Sequence, residues 1–169
     1  MSNCHYQIAL IGDNQLSKSL FIQQINRVAT ISNNLAVRDV FIDNSRIRLF
    51  ISDPIDHNGN GSSLENYHGA FIILRATGKH DEENSLQLIS HFGSQCQKNF
   101  PVTLLVAGGQ YPTNQFVDRT YDDFCRKYGI RNWFSILSKT GEQIDNPLKC
   151  MAESCHKGQC FNILAQITS

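Results

Sequence analysis

The residues best suited to chemistry lie close together near the N-terminus. The apolar run at residues 6–11, YQIALI, breaks at Gly12, and Lys18 and Ser19 follow at the start of a helical-looking segment. In a strand, loop and helix of this kind, the backbone N–H groups of the loop and of the helix N-terminus point to one place. With a lysine and a hydroxyl beside them, these groups favour the binding of a phosphate.

The spacing is close to that of the phosphate-binding loop G-x-x-x-x-G-K-[ST], whose lysine contacts the β- and γ-phosphates and whose hydroxyl binds Mg²⁺. Ser17 stands where that loop has its second glycine. Because glycine lets the backbone approach the phosphate, a serine there weakens the expected binding. A strand followed by a polar helix start, capped by Ser17 or Ser19, fits the same residues. The candidate nucleotide-binding residues of this loop are Gly12, Asn14, Gln15, Leu16, Ser17, Lys18 and Ser19.

Length, charge and cysteine content restrict the class of protein. The 169 residues suit a single domain, 1–169, with one hydrophobic core. Lysine plus arginine equals aspartate plus glutamate at 15 each, so no net charge favours nucleic acid as a partner. The six cysteines include no CxxC pair, and no signal peptide or long apolar span is visible. These features predict a reduced, cytoplasmic setting.

Strands alternate with helices along the rest of the chain. Charged and apolar residues alternate on both sides of Asp43-Asn44-Ser45, which predicts an antiparallel hairpin. Apolar runs at 70–76 and 102–109 predict strands that are covered on both faces. The helix that follows Lys18 is expected to have Leu20, Phe21 and Ile25 as its inward positions. Helices are also expected after Asp81, up to Gly129 and from Pro147 onwards, where Gly158 is a candidate point of interruption. The order predicts an α/β fold with a mostly parallel sheet, one antiparallel strand and helices on both faces.

In this order and spacing the chain resembles the Ras-superfamily small GTPases, and it is most similar to the Rab branch. Residues 67–70, YHGA, are similar to the Rab Y-R-G-A, and residues 134–144, FSILSKTGEQI, are similar to F-E-T-S-A-K-T-G-E-N-V. The resemblance extends over nearly the whole chain. It implies the G-domain fold of P-loop NTPases with a six-stranded sheet, and Mg²⁺ with GTP or GDP as cofactors where binding is retained.

The resemblance also implies roles for single residues on the phosphate side. Lys18 would contact the β- and γ-phosphates, Ser19 and Thr30 would bind Mg²⁺, and Asp53 would hold Mg²⁺ through water. His57 stands where the family has the glutamine that orients the attacking water, which makes it the candidate catalytic residue. A solvated loop histidine is the alternative interpretation of His57.

On the base side the chain departs from the family. The motif N-K-x-D, whose carboxylate reads guanine, is replaced by the residues between Ala107 and Tyr111, AGGQY. Tyr111 can stack on a base or offer one hydroxyl. The motif S-A-K becomes L-S-K, in which Ser138 and Lys139 remain and the Lys139 stem can cover a base. On the phosphate side, Asp56 replaces the glycine that senses the γ-phosphate and would repel it.

These features predict a divergent Rab-like GTPase-fold protein that acts as a protein-interaction module in signalling or vesicle traffic, with guanine nucleotide binding weakened or lost. Protein partners are expected at the switch-like surface of residues 30–67. The chain ends in QITS without a prenylation cysteine. This predicts that membrane attachment is absent or comes from a partner, or that the sequence stops short of a lipidated C-terminus. The alternatives are an atypical but active GTP-hydrolysing switch, and an unrelated flavodoxin-like or receiver-type domain.

Overall fold

A computed structural model describes residues 2–12, 15–26, 35–54, 66–75, 100–107, 115–130, 132–136 and 144–168. These ranges contain six strands and three helices. The strands are β1 (Ser2–Ile11), β2 (Leu35–Ile42), β3 (Ser45–Ser52), β4 (Gly69–Arg75), β5 (Val102–Ala107) and β6 (Asn132–Ile136). The helices are α1 (Gln15–Ile25), α2 (Gln115–Tyr128) and α3 (Asp145–Thr168).

The six strands form one mixed sheet in the order β2-β3-β1-β4-β5-β6. The pair β2 and β3 is antiparallel, whereas β1 pairs in parallel with both β3 and β4, and β5 pairs in parallel with β4 and β6. The predicted α/β class, with a mostly parallel sheet and one antiparallel strand, is therefore confirmed. Because β1 lies between β3 and β4 and runs parallel to both, the carboxyl ends of these three strands lie side by side. The segments that follow the strands are therefore neighbours at one end of the sheet.

The hairpin of β2 and β3 forms where the sequence predicts it. A two-residue turn at Asp43 and Asn44 joins the strands, and Asp43 takes a positive φ of 51°. Aspartate tolerates this left-handed conformation better than most residues do. The turn sets the register, with Ile42 opposite Ser45, so alternate side chains of β3 face opposite sides of the sheet.

Helices cover both faces of the sheet. On one face, α1 and α3 pack against the centre of the sheet through a core of Phe21, Ile22, Ile25, Leu148, Met151 and Ala152 with the buried side chains of β1 and β3. On the other face, Tyr121 and Cys125 of α2 pack against β4 and β5. The nearly continuous apolar sequence of β4 follows from this double covering, because both faces of the strand are buried.

Two local predictions differ from the structure. In α1, Leu20 is half-buried and Ile22 takes the inward position with Phe21 and Ile25, as the period of 3.6 residues requires. The helix α3 runs through Gly158 without interruption. A glycine in a helix interior costs about 1 kcal/mol relative to alanine, which the packed turns before it offset. The predicted helix after Asp81 lies outside the described residues.

Of the helices in the described ranges, none combines the length and apolar character that a membrane crossing needs.

Cysteine reactivity tests how α2 and α3 pack. Burial raises the pKa of the Cys155 thiol to about 12, and burial together with the charge of Asp122 raises that of Cys125 to about 11. Since the thiolate is the reactive form, both thiols should resist iodoacetamide at about pH 8, whereas the half-buried Cys4 and Cys150 should react. Peptide mass spectrometry of the labelled chain, with a urea-unfolded sample as control, measures this. Equal labelling of Cys155 and Cys150 in the folded chain would contradict the packing.

Candidate functional site

The candidate site lies at the carboxyl ends of three neighbouring strands. Gly12 follows β1, Asp53 follows β3, and Lys18 lies in the first turn of α1. The parallel pairing of β1 with β3 and β4 brings these segments together. In open α/β sheets, ligands bind just beyond the carboxyl ends of the strands. The structure therefore brings together residues that are far apart in the sequence. Gly12 and Asp53 are separated by 41 positions.

Gly12 lies so close to β4 that a side chain at this position would collide with the strand. A Cβ atom at this position would lie 3.0 Å from the carbonyl oxygen of Ile73 on β4 and 3.7 Å from Cγ of Lys18. The first distance is shorter than ordinary packing allows, and the carbonyl belongs to a strand in the middle of the sheet, which cannot shift easily. Glycine thus lets the loop pass closely over β4 while the Lys18 stem lies against it.

Lys18 and Asp53 form an ion pair at the centre of this site. The distance between Nζ of Lys18 and Oδ2 of Asp53 is 2.6 Å, and their side chains are only 6% and 12% exposed. Among the described residues, Lys18 is the one charged residue that is buried. A buried charge is costly unless it is paired and hydrogen-bonded, and Asp53 supplies the partner. The pair therefore ties the start of α1 to the end of β3.

The start of α1 supplies the other described loop residues. Ser17 and Ser19 flank Lys18 and are half-buried, while Gln15 and Leu16 begin the helix. The N-terminus of a helix carries partial positive charge from its unpaired N–H groups. The structure thus brings together Gly12, Lys18 and Asp53, with Ser19 one residue further along the helix.

The other predicted site residues lie outside the part of the chain that the structure describes. Their roles stay predictions: Asn14 in the loop, Thr30 for Mg²⁺, His57 for water, and Tyr111, Ser138 and Lys139 for the base.

The direct contact between Lys18 and Asp53 differs from the contacts that the family resemblance implies for Mg²⁺ and phosphate. The family resemblance requires the ammonium to contact phosphate and the carboxylate to face the metal through water. Here each group contacts the other directly. A phosphate that binds Lys18 would have to share its ammonium with the carboxylate of Asp53.

A second cluster of charges lies at the other end of the sheet, and the sequence analysis did not identify it. Arg48 donates from Nε and Nη2 to the two carboxylate oxygens of Asp39, at 2.7 and 3.0 Å. Arg46 donates to Oδ2 of Asp39 from Nε at 2.9 Å and also from Nη2. The hydrogen bond from Arg48 is the main cause that lowers the pKa of Asp39 well below its usual range. The two-residue turn could have revealed this cluster, since it places Asp39 opposite Arg48.

A comparison of the chain with protein-family models and with curated proteins found no match.

Urea unfolding of variants at Lys18 and Asp53 tests whether the ion pair holds the site together. Replacing Lys18 with Met should lower the free energy of unfolding by about 3 kcal/mol, because Asp53 loses its ammonium partner in a buried place. The double variant Lys18→Met/Asp53→Leu should be more stable than Lys18→Met, since neither charge remains. A coupling energy of about 2 kcal/mol or more is expected from the double-mutant cycle.

The chain offers a matched control for this cycle. Arg126 and Asp123 of α2 are 3.4 Å apart and 80% and 74% exposed. Exposed pairs contribute little, so Arg126→Met should change stability by less than about 0.5 kcal/mol. Additive effects of the Lys18 and Asp53 substitutions would show that the two side chains do not depend on each other.

Proposed function

We propose that the chain is a Rab-like G-domain module that acts by binding a protein partner and holds guanine nucleotide weakly or not at all. The observation that carries this proposal is the buried ion pair of Lys18 and Asp53. The partner would bind within the switch-like surface of residues 30–67, which includes β2 and β3. In this proposal the protein is cytoplasmic, and the partner can bring it to a membrane.

The fold and the order of the site residues support the G-domain part of the proposal. The antiparallel strand β2 lies at the edge next to β3, and β1 lies inside the sheet. Gly12 after β1, Lys18 in α1 and Asp53 after β3 occupy the places that the family resemblance implies. A flavodoxin-like or receiver-type domain is disfavoured, because those folds lack the early antiparallel hairpin of β2 and β3.

The ion pair supports the weak-binding part. A phosphate that binds Lys18 has to share the ammonium with the carboxylate of Asp53. Part of the energy gained with phosphate is then lost to repulsion between the two anionic groups. The family resemblance implies that Asp56, which stands in place of the sensing glycine, would add a second negative charge near the γ-phosphate. On the base side, hydrogen bonds to a charged group contribute about 1.5–3 kcal/mol each. Losing the two from the missing guanine-reading carboxylate lowers affinity by about three decades.

An atypical GTP-hydrolysing switch is the second candidate, and the closeness of Gly12, Lys18 and Asp53 favours it over an unrelated fold. In that case Asp53 would turn away from Lys18 towards Mg²⁺ when nucleotide binds. The two candidates predict opposite effects of replacing Asp53. In the interaction module the carboxylate hinders phosphate binding, whereas in the switch it supports the binding of Mg·GTP.

The nucleotide content of the purified chain is the first test. Denaturing the protein and separating the supernatant by ion-exchange chromatography should release far less than one nucleotide per chain. The reason is that a nucleotide held with about micromolar affinity or weaker dissociates when the protein is diluted and washed during purification. A stoichiometric amount of GDP or GTP in the supernatant would overturn the proposal.

The variant Asp53→Asn tests the proposal through the direction in which the affinity for a phosphate group changes. Removing the carboxylate charge frees the Lys18 ammonium, so pyrophosphate without Mg²⁺ should bind about tenfold more tightly to the variant than to the wild type. Isothermal titration measures both affinities, and circular dichroism checks that the variant is folded. Asp123→Asn on α2 serves as the control, because it removes an exposed carboxylate that pairs with Arg126 and not with Lys18.

An active switch would respond in the opposite way. Its Asp53 holds Mg²⁺, so Asp53→Asn would weaken the binding of Mg·GTP. Tight binding of Mg·GTP by the wild type that Asp53→Asn abolishes would favour the switch over the interaction module.

A further inference from the structure

The hairpin end of the sheet carries an exposed surface that the candidate site does not use. We call it the hairpin patch, and it consists of Asp39 and Phe41 of β2, Arg46 and Arg48 of β3, and His5 of β1. The register places His5, Arg48 and Asp39 side by side, and Phe41 next to Arg46. All five lie on the face of the sheet opposite to the buried Ile47, Leu49 and Ile51.

Phe41 is the apolar centre of the hairpin patch. Its side chain is 63% exposed, and within the described ranges it is the one large hydrophobic residue in the exposed class. An aromatic side chain in this position contributes apolar area to a partner at a low cost in conformational entropy, as aromatic residues do at protein interfaces.

The charge of the hairpin patch is positive. Two guanidinium groups share the single carboxylate of Asp39, so one positive charge is left over. The side chains of Arg46 and Arg48 are 40% and 37% exposed, which leaves donor groups accessible to a partner. A guanidinium group binds carboxylates in a two-pronged geometry, which favours an acidic partner.

The backbone of β2 adds a row of hydrogen-bonding groups beside this patch. In a hairpin with a two-residue turn, Ile42 and Ser45 form a hydrogen-bonded pair, and hydrogen-bonded pairs alternate along the ladder. Asp39 and Phe41 then belong to the other kind of pair, so their N–H and C=O groups point away from β3. Since β2 is an edge strand with β3 as its neighbour on one side, these groups point away from the sheet on the other side.

Asn26 confirms this orientation further along the strand. Its side-chain Nδ2 donates to the carbonyl of Leu35 at 2.8 Å, and its Oδ1 accepts from the N–H of Val37 at 3.4 Å. One amide side chain thus pairs with β2 as a neighbouring strand would. In the described part of the chain, no side chain does the same for Asp39 and Phe41.

We infer that the hairpin patch and the adjoining edge of β2 bind an extended acidic segment of another protein, which adds to the sheet as a further strand. Its backbone pairs with Asp39 and Phe41, its carboxylates contact Arg46 and Arg48, and an apolar side chain packs on Phe41. This inference rests on the proposed function as an interaction module and names the chemistry of the partner. A second copy of the chain is disfavoured, because β2 against β2 would place two positive patches together.

Peptide display on the purified full chain tests the inference. A library of random peptides of about nine residues should yield binders in which aspartate or glutamate alternates with apolar residues. On binding of a selected peptide, the amide protons of Asp39 and Phe41 should become protected from hydrogen exchange. The amide of Val40, which already pairs with Ile47, serves as the internal control, since its protection should not change.

Substitutions in the patch separate docking from simple loss of structure. Arg46→Gln and Arg48→Gln together should weaken a selected acidic peptide by about tenfold, and Phe41→Ser by a similar factor. Asp39→Asn should tighten it severalfold, because the internal competitor for both arginines is removed. Arg126→Gln on α2 should change nothing.

Three outcomes of the peptide measurements would overturn the inference. They are a library without enrichment, binders without acidic residues, and weaker binding of acidic peptides by Asp39→Asn in a folded variant. A dimer in sedimentation analysis that Phe41→Ser dissociates would also overturn it, since the occupant would then be a second copy. The peptide measurements involve no nucleotide, so their failure is distinct from a failure of the proposed function, which depends on the nucleotide content and on Asp53.

Discussion

A single buried ion pair between Lys18 and Asp53 determines how the loop end of this protein is built. Both side chains are almost removed from water, so each charge depends on the other for its stability. Three local features serve the pair: Gly12 gives the Lys18 stem its space over β4, α1 begins so that Lys18 lies in its first turn, and Asp53 directly follows β3. The sheet order supplies the rest, because β1, β3 and β4 are neighbours.

The same residue types can serve two purposes, and geometry decides between them. A lysine and an aspartate at these places are what a phosphate and magnesium site would use, and the sequence therefore predicts such a site. When the ammonium and carboxylate are 2.6 Å apart, they act as a structural link, and a phosphate becomes a competitor of Asp53. At the opposite end of the sheet, the two arginines around Asp39 and the exposed Phe41 offer binding groups that no such internal pairing neutralises fully. In the proposed function, this contrast favours the hairpin patch over the Gly12 loop as the surface that binds a partner.

Much of the fold could be predicted from local sequence. The turn at Asp43 and Asn44, the apolar runs of β4 and β5, and the stop of α2 at Gly129 each follow from a short-range signal. Gly129 takes a φ of 68°, which glycine adopts without strain. The inward position of Ile22 was missed because a few apolar residues in a short helix fit more than one face. The course of α3 through Gly158 was missed because packing elsewhere in the helix outweighs the preference of one residue.

The site was only partly predictable, for a different reason. The types and order of Gly12, Lys18, Ser19 and Asp53 indicate where a phosphate site would be, but a direct contact over 35 positions depends on the tertiary fold. The cluster of Asp39, Arg46 and Arg48 was within reach, since the register follows from the turn. Its meaning became visible only with the exposure of Phe41 beside it.

The most direct test of the central claim is a crystal structure of the full chain grown with several millimolar Mg·GTP. The account predicts that Nζ of Lys18 remains within hydrogen-bond distance of the Asp53 carboxylate and that no guanine is bound. Density for a nucleotide whose β- and γ-phosphates contact Lys18, with Asp53 turned towards Mg²⁺, would contradict it.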